Sequence, residues 1–366
     1  MTTVARFSID CHRVLDADGR VVGAMPAFGD DRALVAALYR SMVLTRTFDA
    51  KAVSLQRTGR LGTYASSLGQ EAVGAALGSA MRPTDILLPS FREQGAMLAR
   101  GVTMTEILGY WGGDERGSDF AGPRDDFPVC VPVGSHAPHA AGVALAFQLG
   151  GEDRVAVCVL GDGATSKGDT YEAMNFAGVR KLPVVFVANN NQWAISVPRA
   201  AQSAAATLAQ KAIAAGFHGE QVDGNDVIAM KDRLDGALAA ARSGEGPVLV
   251  EALTYRLSDH TTADDAGRYR DDAEVSARWK SEPIARLRRY MTDRSWWSKA
   301  DEEGLLADCG TAVEAAAAEY LALAAPPPAH MFDYLHETLP AAFADQRAAL
   351  LSETEPADAG TARGDG

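Results

Sequence analysis

Between residues 155 and 254, short apolar runs alternate with segments long enough to be helices. The runs and their spacers read as strand 155–160, turn 161–168, helix 169–180, strand 183–188, loop 189–199 and helix 203–215. A strand near 219–223, a helix over 226–242 and a strand over 247–254 follow. A strand apolar on both sides of its pleat must be covered on both faces, and a helix between successive strands makes the connection parallel. The expected class is therefore α/β, a mainly parallel sheet flanked by helices.

The flanking segments extend this core. Residues 1–29 mix charge and glycine without periodicity and read as an N-terminal arm. Asp30 or Asp31 can N-cap a long helix that carries Leu34, Val35, Leu38 and Met42 on one face and ends near Gly59. A Gly/Ser-rich loop spans 60–69, helices are expected around 70–80 and 92–111, and a polar loop spans 112–130. A loop of that length inside a compact domain usually has a function or a partner. The segment APHAAGVALAFQLG from residue 137 is a helix of small residues. A loop runs from Leu257 to about Arg270, and the C-terminal third is helical. One domain over 30–345 is expected, with a tail over 346–366 that is disordered over ETEPADAGTARGDG.

Composition removes several classes of function. The 366 residues carry 35 basic and 48 acidic side chains, a net charge of −13, which opposes binding to nucleic acid and to anionic membranes. The longest apolar runs fall far short of the roughly 18 residues that a membrane span needs. The N-terminus MTTVARFSID lacks the apolar stretch of a signal peptide. Cys11, Cys130, Cys158 and Cys309 are widely separated and form no CxxC pair, so neither a zinc site nor a disulfide framework is indicated. A reducing, cytoplasmic setting is expected.

The segment VCVLGDGATSKGDTYEA has the order strand, Gly161-Asp162-Gly163, helix. Ligands of open parallel sheets bind outside the carboxyl ends of the strands, and amides at a helix start favour an anion. The turn glycines allow close backbone approach, and Asp162 can hold a hard cation. Alone, Gly-Asp-Gly is as often a tight turn with a capping Asp. After 26 intervening residues comes Asn190-Asn191, again just past an apolar strand. An adjacent parallel strand would bring Asn191 beside Asp162. A carboxylate, an amide oxygen and a backbone carbonyl form part of an oxygen shell. Two phosphate oxygens and a water would complete the octahedron that magnesium prefers.

GDG, 26 residues, then NN resembles the thiamine diphosphate motif. The wider resemblance, over residues 30–345, is to the alpha subunit of the decarboxylating dehydrogenase component of 2-oxo acid dehydrogenase complexes. It is carried by GTYASSLGQEA (62–72), LPSFREQGAML (88–98), GDGATSKGDTYEAMNFAG (161–178) and NNNQWAIS (189–196). TLAQKAIAAG (207–216), QVDGND (221–226) and EALTYRLSDHTTADD (251–265) complete it. The resemblance implies a thiamine diphosphate-binding fold and assigns roles by position. Asp162 and Asn191 would give side-chain oxygens to Mg2+, and Trp193 its backbone carbonyl. Gly161, Gly163 and Ala164 would lie against the diphosphate. Arg92 would bind it directly, as guanidinium suits phosphate oxygens. Phe91 stands where a Tyr is common, and Val133 would hold the aminopyrimidine through its backbone. His260 would reach the active site and serve proton handling and acyl transfer. His136 replaces a frequent Gln on a segment that binds potassium in some relatives, and no potassium site is predicted. Asn189 stands where a phosphate-binding Arg occurs in branched-chain relatives. Thr261 aligns with a serine that mitochondrial enzymes phosphorylate, and no such regulation is predicted. Tyr64 and Ser67 would line the substrate end of the pocket. His139 would either face the site or be structural. Glu71 is read as structural, and Asp264 and Asp265 as organisers of their loop.

The implied reaction decarboxylates a small 2-oxo acid and reductively acylates the lipoyl group of a dihydrolipoyl acyltransferase. The glutamate that activates the cofactor comes, in the family, from a separate beta subunit, so an alpha2beta2 heterotetramer is expected. TLAQKAIAAG and QVDGND favour pyruvate, while LTYRLSDHTTADD also resembles enzymes for branched-chain 2-oxo acids. A transferase or non-oxidative decarboxylase is disfavoured by chain length and the LSDHTTADD loop. A non-catalytic assembly subunit is disfavoured by the intact Arg92, Asp162, Asn191 and His260.

Overall fold

The structure is a computed structural model and describes residues 1–333 and 335–354. Two compact units are distinguished, Met1–Leu321 and the part that begins at Ala322. In the first, β1 (Cys11–His12) precedes α1 (Arg32–Arg57), α2 (Glu71–Ala80), β2 (Ile86–Leu88), α3 (Gln94–Arg100), α4 (Met104–Trp111) and α5 (Ala137–Gly150). Then come β3 (Ala156–Gly161), α6 (Gly168–Arg180), β4 (Val184–Asn190), and a hairpin of β5 (Trp193–Ala194) and β6 (Val197–Pro198). Next are α7 (Arg199–Gln202), α8 (Gln210–Ala214), β7 (His218–Asp223), α9 (Val227–Arg242) and β8 (Val248–Leu253). The helices α10 (Asp272–Arg278), α11 (Pro283–Asp293) and α12 (Lys299–Leu321) complete this unit. The second unit contains α13 (His330–Asp333) and α14 (Ala341–Thr354). Disorder is expected over 353–366, but Glu353 and Thr354 belong to α14; residues 355–366 lie outside the described residues.

Six strands form one parallel sheet in the order β1-β7-β8-β4-β3-β2. Its strands alternate between two cores, as their period of two requires. Val157 and Val159 of β3, and Val185 and Val187 of β4, join the layer built with α1, α2, α9, α11 and α12. Ala156, Cys158 and Leu160, with Val184, Phe186 and Ala188, face the layer of α5, α6 and α8. Cys158 is a fully buried apolar residue of that layer. The apolar runs thus mark strands covered on both sides, as the sequence indicates.

Several boundaries depart from the sequence reading. The helix expected over 92–111 is two helices. Gly101 ends α3 at φ +104°, a left-handed conformation that glycine adopts without a Cβ clash, and Thr103 with Glu106 forms a complete capping box that starts α4. The helix expected over 203–215 shrinks to α8. Reciprocal side-chain bonds ahead of it fix its start late: Thr207 N–H donates to Gln210 Oε1 at 2.8 Å and Gln210 N–H to Thr207 Oγ1 at 3.3 Å. β4 runs two residues past the expected end at 188, because its pairing with β8 continues to Asn190↔Leu253. The edge strands β1 and β2 lie outside the expected set, being only two and three residues long.

The N-terminal arm is tied to the sheet. Asp226, the N-cap of α9, accepts Ile228 N–H and Ala229 N–H, and also Val14 N–H at 2.7 Å and Leu15 N–H at 2.6 Å. Arg13 and Arg286 both reach Asp223 at 2.8 Å. Replacing Asp226 by Ala leaves four backbone donors without this acceptor. The expected loss is about 2–4 kcal/mol of unfolding free energy, with release of the arm to protease. Urea unfolding and limited proteolysis check this; a loss below about 1 kcal/mol with an intact arm would contradict the assignment.

Candidate active site

The carboxyl ends of β3 and β4 set the site. Their parallel register pairs Gly161 with Asn189, so Asp162 follows β3 beside the residues that close β4. Asp162 is only 2% exposed, and its Oδ2 accepts Gln202 Nε2–H at 3.1 Å. Among the described residues no Lys or Arg forms an ion pair with it. Burial pushes its carboxyl above the usual range, opposed by the Gln202 hydrogen bond. A buried carboxylate without a direct ion-pair partner has room for a cation. Asn191 is buried as well. Its Nδ2 donates to Gln70 Oε1 at 3.1 Å and its Oδ1 accepts Trp193 N–H at 3.2 Å. The Trp193 indole donates to Tyr255 Oη at 3.3 Å.

A cavity of about 260 Å³ lies at these strand ends. Phe91, Arg92, Val133, Gly161, Asp162, Gly163, Ala164, Asn191, Trp193 and His260 all line it, and these are the site residues that the sequence singles out. Gly163 is held to glycine by close approach, since a Cβ there would lie 2.9 Å from the Ala194 Cβ. Residues from separate stretches of chain meet here, from Gln70 to His260.

On the facing wall, Arg92 is buried and donates to Ser66 O at 2.5 Å and to His260 O at 2.6 Å. Burial and then the neighbouring Arg256 lower its pKa to about 10. His260 Nδ1 lies 3.0 Å from Arg92 Nη2 and 3.4 Å from Arg256 Nη1. Guanidinium groups only donate, so Nδ1 accepts and the ring proton belongs on Nε2. Burial, then Arg92 and Arg256, pull the His260 pKa down to about 4. The Phe91 ring meets the imidazole edge-to-face at 5.9 Å. Asp264 organises the loop as expected: it accepts His260 N–H at 2.9 Å and the Tyr269 hydroxyl. Asp265 instead pairs with Arg268 at 3.4 Å on the surface.

Other expectations fall differently. Tyr64 and Ser67 do not line the cavity. Tyr64 Oη donates to Asp49 Oδ1 at 3.0 Å and Ser67 N–H to the same oxygen at 2.8 Å, behind the Ser66 carbonyl that holds Arg92. Glu71 is structural, bound to Arg46 at 2.7 Å and to Gly69 N–H at 3.0 Å. His136 Nε2 donates to Val159 O at 2.7 Å, and His139 is exposed and stacks on Phe127. Asn189 lines the cavity while its Oδ1 accepts the Thr254 hydroxyl at 2.7 Å. Thr261 Oγ1 accepts Ala263 N–H at 3.3 Å.

Four further polar residues, absent from the sequence-based set, stand at or behind this wall. Gln70 carries a buried Nε2 without a partner among the described residues. Glu93, raised to about 7 by burial, accepts Arg92 N–H at 3.1 Å and so shapes the turn that carries Arg92. Arg256 is fully buried and donates to Ile195 O at 2.9 Å and to Tyr269 Oη at 2.8 Å. Lys167 lines the cavity. Gln70, Glu93 and Arg256 lie inside the segments GTYASSLGQEA, LPSFREQGAML and EALTYRLSDHTTADD, where closeness in sequence to expected site residues is the available signal.

Among the described residues no group of three or more His, Cys, Asp or Glu side chains is arranged to hold a metal ion. No helix there is long and apolar enough to cross a membrane. The family pattern described as "Dehydrogenase E1 component" matches residues 39–328. The chain is 46% identical to the 3-methyl-2-oxobutanoate dehydrogenase subunit alpha of Mycobacterium tuberculosis over 271 residues, 74% of each chain. It is 38% identical to the pyruvate dehydrogenase E1 component subunit alpha of Mycoplasma genitalium, over 84% of this chain and 86% of the relative. It is 37% identical to the corresponding subunit of Staphylococcus aureus, over 91% and 90%.

The two guanidinium groups around Nδ1 give a spectroscopic expectation. Because the His260 pKa is lowered, any stability it contributes is present above its ordinary value near 6.5 and is lost as pH falls toward 4. Ring 15N NMR of the full chain should show the Nε2–H tautomer, unchanged between pH 8 and about 5.5. An imidazolium signal at pH 6.5 would contradict the geometry.

Proposed function

The chain belongs to the dehydrogenase E1 component family, and on that premise we propose that it is the alpha subunit of a thiamine diphosphate-dependent pyruvate dehydrogenase. The reading rests on one observation: the buried Asp162 carboxylate, without an ion-pair partner among the described residues, lines the same cavity as Asn191, Trp193 and Arg92. We assign Asp162 and Asn191 as side-chain ligands of Mg2+ and the Trp193 carbonyl as a third oxygen. The donor set is hard and oxygen-only, which suits Mg2+, and phosphate oxygens and water would supply the remaining positions. Gly161, Gly163 and Ala164 border the diphosphate, Arg92 neutralises it, and Val133 holds the pyrimidine.

Thiamine diphosphate, when bound, supplies a nucleophilic carbon and an electron sink for decarboxylation. The protein contributes position and electrostatics. Arg92 holds an anion in place while its guanidinium also fixes the His260 ring. His260, neutral with its proton on Nε2, is the hydrogen-bond donor and proton carrier on the substrate side. Phe91 packs against that ring and limits access of water. The active unit is an alpha2beta2 heterotetramer, in which a beta subunit contributes the activating glutamate and a lipoyl-bearing dihydrolipoyl acyltransferase receives the acyl group. We place the reaction in the cytoplasm, where its four cysteines remain thiols.

Pyruvate is the substrate of the first reading. The 46% match to a 3-methyl-2-oxobutanoate dehydrogenase subunit supports a second, in which the acyl group is branched. Turnover of the chain reconstituted with its beta subunit and a lipoyl acceptor tests both. The expected outcome is a higher kcat/KM for pyruvate than for 3-methyl-2-oxobutanoate, with no turnover by the chain alone. A clear preference for the branched acid would establish the second reading, and full activity without a beta subunit would overturn both.

A further inference from the structure

The cation site has a support in Gln202, the last residue of α7. Its Nε2 donates to Asp162 Oδ2 at 3.1 Å, while its Oε1 accepts the Ser166 hydroxyl at 3.1 Å. The two contacts fix which way the amide points. An ionised carboxylate only accepts, so the NH2 end must face Asp162, and the hydroxyl proton of Ser166 satisfies the other end. Ser166 closes the single helical turn that follows Asp162, and α7 leaves the hairpin whose Trp193, Ala194 and Ile195 line the cavity. Arg199 N–H donates to Gln192 O at 2.8 Å and closes that hairpin onto α7. Gln202 therefore joins the two chain segments that carry the cation ligands.

We propose that Gln202 is a positioning residue for the divalent cation: it holds one oxygen of Asp162 so that the other is presented to the metal. This rests on the reading of Asp162 as a metal ligand. Two physical points carry it. Monodentate presentation suits the strict octahedral geometry of Mg2+, whereas a carboxylate free to rotate samples bidentate and outward arrangements. The amide is also neutral. A Lys or Arg in its place would hold the carboxylate equally well but would repel the incoming cation. Partners of this kind behind a ligating carboxylate are typically worth about 10- to 100-fold in metal affinity.

The test uses the full chain with its beta subunit and saturating thiamine diphosphate, with Mn2+ as the probe. The loss of the free Mn2+ signal in electron paramagnetic resonance reports binding without reference to turnover. Gln202→Ala and Gln202→Met, the second of which keeps the packing of the stem, are each expected to weaken Mn2+ binding about 10- to 100-fold. Ser166→Ala should weaken it less, because it frees only one end of the amide. Raising Mn2+ should restore thiamine diphosphate binding in the Gln202 variants, which a general structural defect would not allow. Asp162→Ala should abolish saturable Mn2+ binding. If both Gln202 variants bind Mn2+ within about twofold of the unaltered chain while Asp162→Ala does not bind, the role of Gln202 is refuted and the cation site stands. If Asp162→Ala binds normally, the cation reading fails and the Gln202 proposal fails with it.

Discussion

The parallel pairing of β3 with β4 is the contact on which the site depends. The two strands stay in register from Ala156↔Val184 to Gly161↔Asn189, so two polar segments far apart in sequence emerge side by side. Both strands are covered on both faces, and a slip of one residue would exchange the two core faces. If β4 slipped, Val185 would turn toward the layer built for Val184. The apolar packing thereby fixes the position of Asp162 against Asn191 more firmly than any contact between them. At the end of β4, Asn190 Nδ2 donates to the buried Glu251 of β8 at 2.7 Å, and Glu251 also accepts Ala209 N–H at 3.0 Å. These bonds carry the order of the sheet into the loops that close the cavity.

Charge is divided across the cavity. One wall holds the Asp162 carboxylate with neutral amides around it, and the other holds Arg92 and Arg256 around His260. Arg92 is kept there by carbonyl groups of Ser66 and His260. These partners are neutral, so its charge remains available to an anion in the cavity. The net charge of −13 thus gives no guide to this region, where the field is set by a few buried groups. The same division explains the two pKa directions: burial raises Asp162, whereas burial and two neighbouring cations lower His260.

The order of the main strands and the pairing of Asp162 with Asn191 are legible in sequence because each has a local signature, whereas Phe91, Arg92, Val133 and His260 follow from the resemblance of their segments to the family. Apolar runs flanked by Gly-Asp-Gly and by Asn-Asn mark strand ends, but the break at Gly101 and the capping box of Thr103 with Glu106 fall inside the segment read as one helix over 92–111. The edge strands are not legible. Cys11–His12 and Ile86–Leu88 are too short for periodicity and exist through their pairing with β7 and β3. The places of Tyr64 and Ser67 escape a sequence reading for a related reason, since the buried Asp49 on α1 draws them away from the cavity. Gln202 has no signature at all. Its role depends on a short helix folding back onto Asp162, 40 positions earlier, and only tertiary structure shows that.

The central claim is that this cavity binds a diphosphate through a divalent cation held at the ends of β3 and β4. It is tested most directly by titrating thiamine diphosphate into the full chain with its beta subunit by calorimetry, first with Mg2+ and then with Mg2+ removed by chelation. Tight binding with Mg2+, weakened by at least about 100-fold without it, is the expected result. Equal affinity under the two conditions would contradict the account.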